Sequence, residues 1–90
     1  MVARQVFYEG RVQGVGFRFT CKQLARGFDV TGWVRNLPDG RVELQCSGEQ
    51  PEVEAFLAAI AESELKSHIK SSIPIPIPPL TGIRGFTITG

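Results

Sequence analysis

The sequence predicts an α+β domain in which an antiparallel sheet is covered on one face by two amphipathic helices. Three observations lead there. The hydrophobic pattern switches between alternation and helical spacing in the order strand, helix, strand, strand, helix, and an extended tail follows. A tight-turn sequence, Leu37-Pro38-Asp39-Gly40, joins the two middle strands. Ninety residues of 42% apolar composition suit one modest core, so a single domain spanning residues 1–90 is expected.

Gln5 to Val12 alternates, with Val6, Tyr8 and Val12 on one side and Glu9 and Arg11 on the other, as a half-buried strand does. The period changes at Phe17. Phe17, Cys21, Leu24 and Ala25 fall on one helical face, and Gly27 supplies the stop. Asp29 to Asn36 alternates again, with Val30 and Val34 sharing the face of Asn36. Arg41 to Ser47 does so through Val42, Leu44 and Cys46. In the turn between them proline presets one torsion and glycine tolerates a positive one, which makes the pair a hairpin. Pro51 suits the first turn of a second helix, whose Val53, Phe56, Leu57 and Ile60 form its apolar stripe.

In the tail, Ile73, Ile75 and Ile77 alternate with Pro74, Pro76 and Pro78. A central strand cannot lose those amide donors. Because the prolines share one parity, an edge strand with its missing N–H groups turned outward is one solution. An unpaired polyproline-like segment is the other. Phe86 and Ile88, beyond Gly82 and Gly85, add a short final strand. A βαββαβ order of this kind implies the ferredoxin-like sandwich.

Composition narrows the function. Ten Lys and Arg stand against nine Asp and Glu, a net charge of +1, so the chain has no broad basic footprint for nucleic acid. No long apolar run opens the sequence, so neither a signal peptide nor a membrane span is readable and a cytoplasmic location is expected. Cys21 and Cys46 are far apart, without a CxxC spacing or a nearby His, and read as buried thiols. No metal or other cofactor is expected, and a monomer is the simplest state.

Chemistry concentrates at Gly10 to Arg18, GRVQGVGFR, where a strand passes through a glycine-spaced loop into a helix. Unpaired amides and the positive end of the helix converge there on one spot, as an anion requires. Gly14 and Gly16 permit torsions that turn successive amides inward, and Arg18 adds a planar, permanently charged fork. The loop lacks the Lys and Ser/Thr of a P-loop and the third glycine of a dinucleotide fingerprint. A plain glycine turn with an exposed arginine would give the same local pattern.

GRVQGVGFR followed by GWVRNLPDGRVE at Gly32 to Glu43 resembles the two signature segments of acylphosphatases, in the right order and separation. The likeness covers roughly Val6 to Ile60; the proline-interrupted tail from Ser63 to Pro79 departs from the usual pattern. The resemblance implies that Arg18 is the catalytic, phosphate-binding arginine and Asn36 the catalytic asparagine. It also implies that Gln13, Gly14, Val15, Gly16 and Phe17 form the phosphate loop. The implied substrate is a small acyl phosphate, hydrolysed to a carboxylate and inorganic phosphate. A carboxylate leaves without being protonated, so positioned positive charge and amide donors suffice to stabilise the transferring phosphoryl group. Asn36, which both donates and accepts, would aim the water.

Two other readings compete. One is a non-catalytic phosphate-binding or regulatory domain, since acylphosphatase-like units also occur inside larger carbamoyl-transfer proteins. The other is an RNA-binding module, whose third strand needs aromatic residues that Arg41 to Ser47 lacks. His68 reads as a solvated side chain, Trp33 as packed on the less covered sheet face, and Arg35 and Arg41 as solvated residues flanking the turn.

Overall fold

Val6, Leu44 and Val34 stand side by side on neighbouring strands and are at most 1% exposed, so the alternation read from the sequence becomes one apolar sheet face. The computed structural model describes residues 1–90. Its elements are β1 (Val2–Gly10), α1 (Phe17–Ala25), β2 (Val30–Asn36), β3 (Val42–Gly48) and α2 (Gln50–Glu62). A 3-10 turn (Glu64–His68), β4 (Ile69–Ile77) and β5 (Phe86–Ile88) complete the chain. The sheet order is β4-β1-β3-β2-β5, the ferredoxin-like arrangement with one strand added at an edge. No helix is long and apolar enough to cross a membrane.

Both helices cover the apolar face. Phe17, Cys21 and Ala25 of α1 and Val53, Phe56 and Ile60 of α2 are buried against it, which makes each helix amphipathic in use as well as in sequence. Full burial of one such large side chain is worth about 1.5–3 kcal/mol. Aromatic contacts knit the layers: Tyr8 meets Phe17 at 4.8 Å between centroids, and Phe56 meets Phe86 edge-on at 5.3 Å. Gly32 marks the closest approach of β2 to β3. A Cβ there would lie 2.0 Å from the carbonyl oxygen of Gln45, so no other residue fits without moving the strand.

Several details differ from the sequence reading. The first strand starts earlier, at Val2, because Val2 to Arg4 find partners in Gly48 to Cys46; it stops at Gly10, where the register to β4 shifts. Four strands are antiparallel, but β5 runs parallel to β2, so the sheet is mixed. The chain leaves β4 at one edge and returns at the other, where Phe86 to Ile88 pair with Gly32 to Val34 and Phe86 buries against Phe56. The 3-10 turn was not legible. Its Leu65 is buried, and Ser63 Oγ holds it by donating to the Ile60 carbonyl (2.7 Å) and accepting from the Leu65 amide (3.1 Å).

The structure decides between the two forms of the proline tail. Ile69–Ile77 pairs along β1, with Pro74 opposite Val6 and Pro76 opposite Arg4. A proline facing β1 would leave no donor to make that ladder, so the isoleucines carry the pairing and the prolines face outward.

On the uncovered face, Glu43 is 4% exposed and accepts from Gln5 (2.7 Å), Gln45 (3.3 Å) and Arg35 (2.9 Å). Arg35 also lies over the Trp33 ring, while Arg41 pairs with Asp39 at 2.8 Å and lies over Phe7. Arg35 remains exposed and Arg41 partly so, as expected, and neither lines the cleft; what the sequence did not show is that each also has a carboxylate and a ring beside it. Trp33 does face this side, and Cys21 and Cys46 are free and buried.

Candidate active site

After β1 the backbone bends without closing a hydrogen-bonded turn, and none of the amides from Gln13 to Phe17 donates to a backbone carbonyl. Gly14 (φ 78°) and Gly16 (φ 76°) adopt the left-handed conformation, and Gly16 caps α1 with no side chain covering the helix end. The loop is held at both sides. The Arg11 amide donates to the His68 carbonyl (2.9 Å), and fully buried Val12 anchors it to the core. Gln13 Nε2 donates to the carbonyls of Leu37 (2.7 Å) and Arg41 (3.0 Å). Gln13 thereby locks the loop to the β2–β3 turn, a use of its side chain that no local pattern announces.

A cleft of about 210 Å³ opens beside the loop. Gly14, Gly16, Phe17 and Arg18 line it from the loop and α1, Asn36 from the end of β2, and Phe19 and Ile88 complete its apolar part. Arg18 and Asn36, from the two separate signature segments, are brought together here. Gln13 and Val15 lie outside the lining. The sequence assigns neither Phe19 nor Ile88 to the site, and gives Ile88 only a place in the final strand. Phe19 had a signal, since a residue two positions after core-facing Phe17 points away from the core on a helix.

The chain that follows β5 completes the arrangement. Thr89 donates its amide to Val34 (3.0 Å), extending the pairing with β2. The Gly90 carbonyl then accepts both the Asn36 amide (3.1 Å) and Arg18 Nη1. One oxygen ties the two candidate residues to each other. The rest of the Arg18 fork has no Asp or Glu partner, unlike Arg35 and Arg41. Asn36 Oδ1 is buried and has no hydrogen-bond partner. Such an orphan costs about 1–3 kcal/mol.

Arg18 is the only titratable residue lining the cleft. Burial pushes the thiols of Cys21 and Cys46 up to about 12 and raises the Tyr8 phenol as well, so all three remain neutral. Glu43 belongs to the opposite face. Burial raises its carboxyl, but hydrogen bonds from Gln5, Arg35 and Gln45 and the charge of Arg35 outweigh that and hold it below its ordinary value. No group of three or more His, Cys, Asp or Glu side chains is placed to hold a metal ion.

A ferredoxin-like sandwich that gathers free amides, a helix N-terminus and a guanidinium with no Asp or Glu partner beside one cleft defines a domain suited to anions. The sequence model of the acylphosphatase family matches residues 4–88. Curated acylphosphatases from Archaeoglobus fulgidus and Pseudomonas paraeruginosa are 35% and 36% identical. The first alignment covers 98% of this chain and 83% of the relative, the second 97% and 94%. The crystal structure of the acylphosphatase from Bacillus subtilis superposes with a TM-score of 0.90 at 31% identity over the whole of both chains. The same fold forms 12% of full-length HypF, at 27% identity and a TM-score of 0.84 over 99% of this chain. The chain belongs to the acylphosphatase family.

Proposed function

We propose that this chain hydrolyses small acyl phosphates to a carboxylate and inorganic phosphate, with Arg18 and Asn36 as its catalytic residues. The observation that carries the reading is the meeting of these two side chains in one cleft, where Arg18 keeps N–H groups with no Asp or Glu partner and Asn36 Oδ1 lacks a donor. A bound phosphoryl group and a water molecule supply what each lacks.

Phosphoryl oxygens accept from the free amides of the loop Gln13 to Phe17 and from the remaining N–H groups of Arg18. Asn36 Oδ1 accepts a hydrogen bond from the attacking water and sets its line toward phosphorus. The water oxygen bonds to phosphorus as the bond between phosphorus and the acyl oxygen breaks. The bonding pair leaves on that oxygen, which becomes a carboxylate and needs no proton. The proton lost by the water passes to a phosphoryl oxygen, giving dihydrogen phosphate. With no titratable base in the cleft, the phosphate itself is the acceptor. Charge develops beside a fixed guanidinium and fixed dipoles, the arrangement that lowers barriers most.

All of these parts lie within the single domain of residues 1–90, so a monomer in the cytoplasm acting without metal or other cofactor fits the reading. The open sheet face offers little to nucleic acid: Trp33 and Phe7 lie under guanidinium groups, and β3 presents Glu43, Gln45 and Ser47. The deciding experiment is benzoyl phosphate hydrolysis in the presence of a chelator, with wild type and Arg18→Lys compared. Chelator-resistant turnover that falls about a hundredfold or more in the variant is expected. Phosphate binding without turnover by folded wild type would instead identify a non-catalytic phosphate-binding or regulatory domain.

A further inference from the structure

Few large apolar side chains stand exposed in this molecule, and two of them, Phe19 (59%) and Ile88 (39%), line the same cleft as Arg18 and Asn36. Neither is there for the core. Phe19 projects from the outer side of α1, and the ring pairs of the protein, Tyr8–Phe17, Phe28–Phe56 and Phe56–Phe86, do not include it. Ile88 shares the sheet face of buried Phe86 but reaches past the covered part of that face, into the cleft.

The cleft thus has two unlike parts. Its polar part, free amides and a guanidinium, suits a phosphoryl group. Its apolar part, a ring and a branched chain, has no use for one and is wetted at a cost proportional to its area. A ligand that satisfies both is amphipathic, with a phosphate at one end and an apolar group beside it. At about 210 Å³ the cleft lies below the range of roughly 300–1,000 Å³ that holds drug-sized ligands, which limits the apolar group to about one ring or a short branched chain.

We propose that Phe19 and Ile88 form the acyl-group subsite and give this protein a preference for aromatic or branched aliphatic acyl phosphates over small or charged ones. The proposal rests on the reading of the cleft as an acyl phosphate site. It adds the part of the substrate that Arg18, Asn36 and the loop do not touch. Both residues act on specificity: they contact the group that leaves as the carboxylate, away from phosphorus.

The test compares kcat/KM for benzoyl phosphate and acetyl phosphate in wild type, Phe19→Ala, Phe19→Tyr and Ile88→Ala, with the inhibition constant of inorganic phosphate measured for each. The benzoyl-to-acetyl ratio is expected to fall about tenfold in Phe19→Ala and about threefold in Ile88→Ala. Phe19→Tyr restores the ratio, and phosphate inhibition stays within about twofold of wild type throughout. A ratio that does not move overturns the subsite, as does a loss that falls equally on both substrates and on phosphate inhibition. Failure of wild type to hydrolyse either substrate would be a different result, removing the hydrolase reading itself and the subsite with it.

Discussion

Two polar clusters lie on this sheet, and they are finished in opposite ways. On the uncovered face the carboxylate of Glu43 is met by Gln5, Gln45 and Arg35, and Arg41 closes on Asp39. At the N-terminus of α1 the loop amides, most of the Arg18 fork and Asn36 Oδ1 are left without partners in the protein. The first cluster is complete in the folded chain and contributes to holding it together. The second is complete only with a ligand. Arginines of identical intrinsic chemistry are thereby sorted by surroundings alone, and the one with unspent N–H groups is the one proposed to act on substrate.

The most direct way to break the contrast is to exchange the arginines' fates. Arg18→Ala should lower kcat/KM for an acyl phosphate about a thousandfold, whereas Arg35→Ala and Arg41→Ala should stay within about threefold of wild type. An equal loss on both faces would end the distinction. Asn36→Ala comes next, with kcat down about a hundredfold and the midpoint of thermal unfolding unchanged or raised, since the substitution removes an unsatisfied acceptor. A variant that loses activity only because it unfolds would show the opposite shift in the melt.

Glu43→Gln probes the finished cluster, with an expected loss of about 1–3 kcal/mol at neutral pH in urea unfolding and turnover within about twofold of wild type. The pH dependence has a definite sign. The folded carboxyl lies below its ordinary value, so its contribution is present above the unfolded carboxylate range, near 4.3, and disappears as pH falls through the folded value. Wild type should therefore lose stability on acidification more steeply than Glu43→Gln, and parallel curves would deny the cluster its role. The smallest effect belongs to the thiols. With Cys21 and Cys46 buried and pushed up to about 12, iodoacetamide at neutral pH should leave the native enzyme's turnover unchanged.

The sequence showed most of what depends on neighbours in the chain. Alternation at Val30 and Val34 placed Asn36 on the helix-covered face, and the glycine spacing placed Arg18 at a helix start. Contacts set by register across strands were out of reach. Arg35 meets Glu43 because β2 pairs with β3 in one register, and Gln13 meets Leu37 and Arg41 because the loop crosses a turn far along the chain. Nothing local assigns those partners. The direction of β5 was hidden for a related reason, since three residues carry too little pattern to say which edge they join. The prolines allowed two conformations, and only the presence of β1 beside them selects the strand.

That strand has a further consequence. Along the outer side of β4 the positions that would ordinarily alternate donor and acceptor offer only carbonyls at Pro74 and Pro76. A second extended chain laid there finds half of its hydrogen bonds missing, although Ile73 and Ile75 expose enough apolar surface to attract one. The edge thus resists serving as a template for fibril growth while keeping the β-branched residues that a nine-residue strand needs to pair with β1.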